Sequence, residues 1–174
     1  AYTSLIPVLI AEGWCTPAQA GYLGAANLGG YLAGALIGQQ VARRWPAKPA
    51  LRLMMLTATI AFFASATPIS YGWFFIWRFA SGLAGGSLMV LAAPSILPFV
   101  PQSKRGLATG LVFTGVGSGM VLSGTLVPAM VPFGLATTWC VLGLLSLLAT
   151  VRAWSWWPTE LPLQGAPSQA DTAS

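Results

Sequence analysis

The stretch Trp77 to Gly86, "WRFASGLAGG", places one arginine inside an otherwise uncharged run from Phe62 to Gln102. Across all 174 residues, 56% are hydrophobic and only 6% are charged, with a mean hydropathy of +0.73, whereas soluble domains carry roughly 25% charged residues. A helix of about 20 mostly apolar residues crosses the roughly 30 Å hydrocarbon core of a bilayer. The composition therefore predicts an all-α membrane protein.

Prolines, glycines and charges divide the chain into six predicted helices joined by short connections, which makes successive helices antiparallel neighbours. The first apolar stretch is only about half as long as a spanning helix, so we expect the chain to lack the front of its first helix. A flexible polar linker or tail is expected over 158–174. The six helices are predicted at about 1–11, 18–42, 50–70, 72–99, 107–131 and 133–157.

Seven of the eight basic residues lie on one face of this predicted topology, in or beside the loops 43–49 and 100–106 or at the end of the sixth helix. Loops rich in Lys and Arg remain cytoplasmic, so we expect a multi-pass protein of the inner (plasma) membrane with both loops cytoplasmic. The net charge of +5 therefore points to the lipid bilayer as partner and not to nucleic acid. The seven residues are Arg43, Arg44, Lys48, Arg52, Lys104, Arg105 and Arg152.

Residues for enzymatic chemistry are scarce. The chain has no His, and its three acids, Glu12, Glu160 and Asp171, lie outside the predicted complete spans, so neither a catalytic triad nor a carboxylate pair can be assembled there. Because His is absent and the acids are so few, a zinc or calcium site of the usual kind cannot be assembled there either. The glycines of "GVGSG" (115–119) follow no predicted strand, which excludes a dinucleotide-binding turn. We expect no enzyme, no cofactor and no metal.

Two stripes of small residues predict close helix packing, because small side chains let helix backbones approach each other where lipid provides no hydrophobic drive. In the second helix, small residues recur every four residues. In the fourth helix, two glycines follow Arg78 at i+4 and i+8. The members are Ala26, Gly30, Gly34 and Gly38 in the second helix, and Gly82 and Gly86 in the fourth.

Arg78 is the one basic residue that the positive-inside rule does not explain. A charge inside a span costs roughly 2.5–3.5 kcal/mol on insertion scales and usually faces a partner or a cavity. Its partner could be Glu12, a group outside this chain, backbone carbonyls or an anionic substrate, and Asn27 lies at a compatible depth of roughly 13 Å. Arg78 either locks the fourth helix to its neighbours or takes part in substrate or proton coupling.

Thr114 and Ser118 lie one turn apart near the middle of the fifth helix. Such a polar pair either lines a transport pathway or bonds back to carbonyls of its own helix.

The motifs resemble the first half of a major facilitator superfamily transporter, and most closely its YbfB/YjiJ branch. Arg78, Gly82 and Gly86 match the family's fourth-helix motif, while "QQVARRWPAKPAL" (39–51) retains only the basic character of the family's loop between helices 2 and 3. In the fifth-helix pattern Gly106, Gly115, Gly119 and Gly124 fit, with Met120 at a proline position and Ser123 at a glycine position.

This resemblance implies the six-helix N-terminal half of a bundle that is completed by a C-terminal six-helix half, with packing or gating roles for Gly115 and Gly119. It implies a secondary active transporter that moves a small solute by alternating access, with proton coupling. The alternative from another class is a non-transporting membrane bundle that acts as a scaffold or binds a partner through its glycine stripes.

Overall fold

In a computed structural model, which describes residues 2–44, 46–67 and 69–157, every regular element is helical. The expectation of an all-α protein is thereby confirmed for the described part of the chain. The expected linker 158–174, together with Ala1, lies outside it. The helices are α1 (Tyr2–Ala11), α2 (Pro17–Arg44), α3 (Ala47–Ser65), α4 (Tyr71–Ile96), α5 (Arg105–Met130) and α6 (Leu135–Ala153), with 3-10 turns at Leu97–Phe99, Gln102–Lys104 and Val131–Phe133.

Several helix ends differ from the predicted ones, and proline or glycine chemistry explains those of α3 and the start of α6. α3 begins three residues early because its first turn tolerates Pro49, and it ends at Ser65, five residues early, shortly before Pro68 in the sequence. α6 begins two residues late, after Gly134 takes up a φ of 98°, a backbone conformation that favours glycine. It ends at Ala153, four residues early.

Side-chain caps fix where two helices start at one end of the bundle. The Thr16 hydroxyl accepts from Gln19 N, and the Gln19 side chain accepts from Thr16 N, which forms a capping box before α2. Ser70 Oγ accepts from Trp73 N at the start of α4. These polar starts set the registers of α2 and α4.

Four segments of the described chain are long and apolar enough to cross a membrane, namely Ala47–Ser65, Tyr71–Phe99, Gln102–Phe133 and Leu135–Ala153. The sequence predicts five complete spanning helices, the second to the sixth. By length and hydropathy the second helix is not among the four segments found. α2 has 28 residues, so its length of about 42 Å suffices, but its glycines and the amides Asn27, Gln39 and Gln40 make it less apolar.

The most extensive interhelical contact joins α2 and α4, and α3 packs against both α4 and α6. α2 and α4 run parallel, since Gly30 faces Phe79 and Gly38 faces Ser87. α3 and α6 run antiparallel, since Arg52 bonds to the carbonyl of Trp154 and Phe63 meets Gly143. Both basic loops and the end of α6 therefore lie at the same end of the bundle, here called the basic end.

α5 is the least packed helix. Val127 is its one fully buried side chain among the described residues, and it has few contacts with α1 and α6. Large apolar side chains such as Leu111 and Val121 are exposed along its length. A bare apolar surface of this kind requires lipid or another protein surface.

Candidate functional site

Arg78 lies at the centre of an aromatic enclosure within the bundle. The residue is only 3% exposed, about 10 Å from the start of α4 at 1.5 Å per residue. Its guanidinium carbon is 4.9 Å from the ring centroid of Trp139 on α6, 5.3 Å from that of Tyr2 on α1 and 6.0 Å from that of Phe74 one turn earlier on α4. The π-faces of these three residues, here called the aromatic cage, attract the cation.

The rings of the aromatic cage are held by contacts of their own. Phe74 and Trp139 pack edge to face with centroids 5.9 Å apart, a favourable aromatic geometry. The Tyr2 hydroxyl donates a 2.9 Å hydrogen bond to the carbonyl of Ala20 on α2. Phe74 and Trp139 belong to a hydrophobic cluster with buried members on α1, α2, α4, α5 and α6, and Tyr2 packs against this cluster. The cage is therefore part of the packed core.

The donors around Arg78 are not satisfied. Nε and Nη2 of Arg78 are buried without a hydrogen-bond partner, and so is Nε1 of Trp139, whose residue is completely buried. Glu12, one of the partners considered from sequence, is exposed in the α1–α2 connection, and the guanidinium forms no ion pair within the described ranges. Buried donors in native proteins are normally paired. Trp77 and Trp157 also have a buried indole nitrogen without a partner, so the feature that sets this cluster apart within the described residues is that two of its donors belong to a charged group.

Asn27 contacts Arg78, but it bonds to the main chain of this residue and not to the guanidinium, which their similar depths in the membrane had suggested. Asn27 Nδ2 donates a 2.9 Å hydrogen bond to the main-chain carbonyl of Arg78. The reason is the close approach of α2 and α4 at Gly82, where an added Cβ would collide with the Asn27 carbonyl. At that spacing the short amide reaches the backbone of α4 while the arginine side chain extends toward α1 and α6.

The predicted glycines of α2 and α4 interlock in this contact. A Cβ on Gly30 would strike the carbonyl of Phe79, and one on Gly34 would strike the carbonyl of Leu83. On the other helix, Gly86 meets the Tyr31 carbonyl in the same way. Gly38 is less tight, because a Cβ added there would lie 3.3 Å from Ser87 Cα. Ser87 Oγ donates to the carbonyl of Gly34 at 2.9 Å.

A cavity of about 250 Å³ opens beside the aromatic cage, at the end of the bundle opposite the basic end. Phe74 belongs to both, because its ring lies 6.0 Å from the Arg78 guanidinium carbon and also lines the cavity. The walls are otherwise formed by the α1–α2 connection and the start of α4, and the residues that line the cavity are Gly13, Trp14, Ser70, Tyr71 and Phe74.

Thr114 and Ser118 on α5 are exposed and take no part in this arrangement. Their hydroxyls donate to Gly110 O and Thr114 O respectively, both at 2.8 Å. Of the two alternatives considered from sequence, these bonds are those to carbonyls of the same helix. They also line an open groove of about 490 Å³ on α5. Gly115 and Gly119 have no atom of another element within reach of an added Cβ, so the described chain gives these two glycines no packing partner.

The other basic residues belong to the basic end, whereas Arg78 lies in the first part of α4, toward the opposite end of the bundle. Arg105 is exposed, with Nε 3.3 Å from Val100 O, and Lys104 is exposed in the same connection. Lys48 is half-buried near the start of α3, while the side chains of Arg43 and Arg44 lie outside the described part. Arg52 bonds to Trp154 O and stacks over the Trp154 ring at 4.6 Å, which anchors α3 to the end of α6.

Within residues 2–44, 46–67 and 69–157 no group of three or more His, Cys, Asp or Glu side chains could hold a metal ion. Sequence reasoning identified Arg78 but missed the aromatic cage. Phe74 precedes Arg78 by four residues, a spacing that brings side chains together on a helix, so this member could have been found. Tyr2 and Trp139 come from distant helices and carry no such signal.

The family model described as "Uncharacterised MFS-type transporter YbfB" matches residues 1–174. No curated protein and no solved structure matches the chain.

Proposed function

The chain belongs to the YbfB-type family of major facilitator transporters, and on this premise we propose that it forms one half of a secondary active transporter in which Arg78 couples solute movement to a proton gradient. The second, C-terminal half would consist of six further helices. Solute would cross by alternating access, as the two halves rock around a shared site near the bilayer midplane.

The observation that carries this proposal is the buried guanidinium of Arg78, whose Nε and Nη2 have no hydrogen-bond partner in the described chain. An ionisable side chain inside a membrane bundle is costly, and such residues mark substrate or ion pathways. Here the cation is retained without an acid beside it in the described chain, and Phe74, one of the rings around it, also lines a cavity. A purely structural arginine would be expected to use its donors on carbonyls, as Arg52 does with Trp154.

The packing of the glycine stripes favours a transporter over a scaffold. The scaffold alternative needs the stripes of α2 and α4 as free assembly faces, but these stripes are occupied by each other. A rigid α2–α4 pair is suited to rigid-body movement, whereas the sparsely packed α5 offers an apolar surface to a second half. In this proposal the protein lies in the inner (plasma) membrane with loops 43–49 and 100–106 in the cytoplasm.

The test is solute uptake into proteoliposomes that contain the full-length protein encoded around this chain. A panel of radiolabelled solutes should include organic anions, organic cations, sugars and amino acids. We expect at least one solute to accumulate when a pH gradient is imposed and to be released by a protonophore. Accumulation that ignores the pH gradient would contradict proton coupling, and no accumulation of any solute by correctly inserted protein would contradict transport.

A further inference from the structure

We propose that the basic end of the bundle binds an anionic phospholipid, with part of an acyl chain in a cleft between the ends of α4 and α6 and the phosphate at Arg105 and Arg152. The inference does not depend on transport, because it concerns a surface remote from Arg78. The cleft has a volume of about 410 Å³. The residues that line it are Ile96, Phe99, Ala153, Trp156 and Trp157.

The walls of the cleft are apolar and partly uncovered. Phe99 is 53% exposed and Trp156 is 77% exposed, and large apolar side chains that are grouped and exposed mark a surface for lipid or for another protein. Trp157 is half-buried and packs against the cluster that contains Leu51 and Leu91, so this wall is fixed to α3 and α4. The volume lies within the range of roughly 300–1,000 Å³ that is usual for ligand pockets. The cleft can therefore hold an apolar chain.

Arginines flank the cleft on both sides. On the α4 side, Arg105 Nε donates to the carbonyl of Val100 at 3.3 Å, which holds the guanidinium beside the residue that follows Phe99. On the α6 side, Arg152 directly precedes Ala153, and both arginines are exposed. The acids of the described ranges do not neutralise them, because Glu12 alone is described and it lies at the opposite end of the bundle.

This combination selects an amphipathic anion. An apolar cleft alone would accept any hydrophobic segment, but flanking cations favour an occupant that carries negative charge next to its apolar part. Arginine binds phosphate oxygens through parallel N–H groups. Tryptophans such as Trp156 favour the headgroup level of a bilayer, because the ring is apolar and its N–H is polar. Phosphatidylglycerol meets these conditions, whereas phosphatidylcholine adds a positive charge that the arginines repel.

The test is native mass spectrometry of the purified full-length protein in detergent, titrated with dioleoyl phosphatidylglycerol or dioleoyl phosphatidylcholine. We expect the first phosphatidylglycerol to bind about tenfold more tightly or better, because each basic residue near a headgroup adds to the attraction. Glycerol phosphate, which lacks the acyl chains, should not displace it.

Three results on the unaltered protein would overturn the inference. Equal affinity for the two lipids would show that the phosphate charge is not recognised. Displacement by glycerol phosphate would show a site for free phosphate and not for a lipid. Absence of phosphatidylglycerol binding would show that another part of the full-length protein covers the cleft.

Charge variants separate a local site from the general field of the basic end. Arg105→Gln combined with Arg152→Gln should weaken phosphatidylglycerol binding by about tenfold or more. Arg43→Gln combined with Arg44→Gln removes the same number of charges from the other basic loop and should leave the affinity close to that of the unaltered protein. An equal loss in the two double variants would overturn the inference, because the attraction would then be diffuse.

A pair of phenylalanines tests the apolar wall. Phe99 and Phe133 are both exposed, and each ends a 3-10 turn of similar sequence, Leu97–Phe99 and Val131–Phe133, at opposite ends of the bundle. Phe99→Ser should weaken phosphatidylglycerol binding, whereas Phe133→Ser should not. Equal affinities of these two variants would overturn the placement of the acyl chain. If a variant fails to fold, the comparison of the two lipids on the unaltered protein still decides the inference.

Discussion

The side-chain amide of Asn27 on α2 donates a 2.9 Å hydrogen bond to the main-chain carbonyl of Arg78 on α4. This bond connects the packing of the bundle with its candidate site, because it holds the backbone of the residue whose guanidinium enters the aromatic cage. Polar bonds between membrane helices contribute about 0.6 kcal/mol on average and up to about 1.7 kcal/mol.

Asn27→Leu should therefore lower the thermal unfolding temperature of the protein in detergent, because the carbonyl of Arg78 loses its donor and the larger side chain disturbs the contact. The expected loss of stability is about 1 kcal/mol, measured by differential scanning fluorimetry. Gln40→Leu, an amide change at an exposed position of the same helix, is the control. An equal fall in the unfolding temperature of the two variants would show that the bond to Arg78 does not contribute measurably to stability.

Neighbouring glycines on α4 allow a sharp test of the helix contact. A methyl group on Gly86 would collide with the Tyr31 carbonyl, whereas one on Gly85 would make an ordinary 3.8 Å contact with the Tyr31 ring. Gly86→Ala should destabilise the protein by about 1–3 kcal/mol, the usual cost of overpacking. Gly85→Ala should be neutral or slightly stabilising because alanine favours the helix. The measurement is the thermal unfolding temperature of each variant. A lower unfolding temperature for Gly85→Ala than for Gly86→Ala would contradict the close α2–α4 packing.

Cys15 should resist alkylation. Burial in the α1–α2 connection raises the pKa of its thiol above the ordinary value, so less of the reactive thiolate is present at a given pH. In a Cys140→Ala background, iodoacetamide should modify Cys15 slowly at pH 8, and the rate should continue to rise above that pH. A thiol introduced by Glu12→Cys at an exposed position, with Cys15→Ala, provides the reference rate. Equal rates at pH 8 would contradict the burial of Cys15.

The orientation of the basic end can be measured in intact cells. With Cys15 and Cys140 replaced by alanine, a membrane-impermeant maleimide should label the protein carrying Glu12→Cys from outside. The protein carrying Lys104→Cys should be labelled only after the cells are permeabilised, because loops rich in basic residues remain cytoplasmic. The opposite labelling pattern would invert the proposed topology.

The sequence was sufficient for the membrane class and the family, both of which are confirmed. Apolar runs fix the existence of spanning helices because the bilayer imposes their length. Steps of four residues reveal the faces of α2 and α4 because that spacing is a property of the helix itself. The depths of Asn27 and Arg78 were enough to suggest their proximity.

The sequence could not supply what depends on the arrangement of distant helices. The aromatic cage needs the register of α1 and α6 against α4, which no local pattern encodes. The atom that Asn27 contacts depends on how closely Gly82 lets the two backbones approach. Within the described residues no atom of another element lies within reach of a Cβ added at Gly115 or Gly119. Their packing or gating role stays a prediction, because a glycine pattern predicts a smooth face but not which chain covers it.

The most direct measurement compares proton-driven uptake by the full-length protein with that of Arg78→Lys, in proteoliposomes that contain equal amounts of each. The solute is whichever member of the panel the unaltered protein accumulates. Lysine keeps the positive charge but cannot reproduce the guanidinium edge, so we expect uptake to be lost while expression and unfolding temperature remain close to those of the unaltered protein. Unchanged uptake by Arg78→Lys would contradict a functional role for the guanidinium and leave Arg78 as a structural residue.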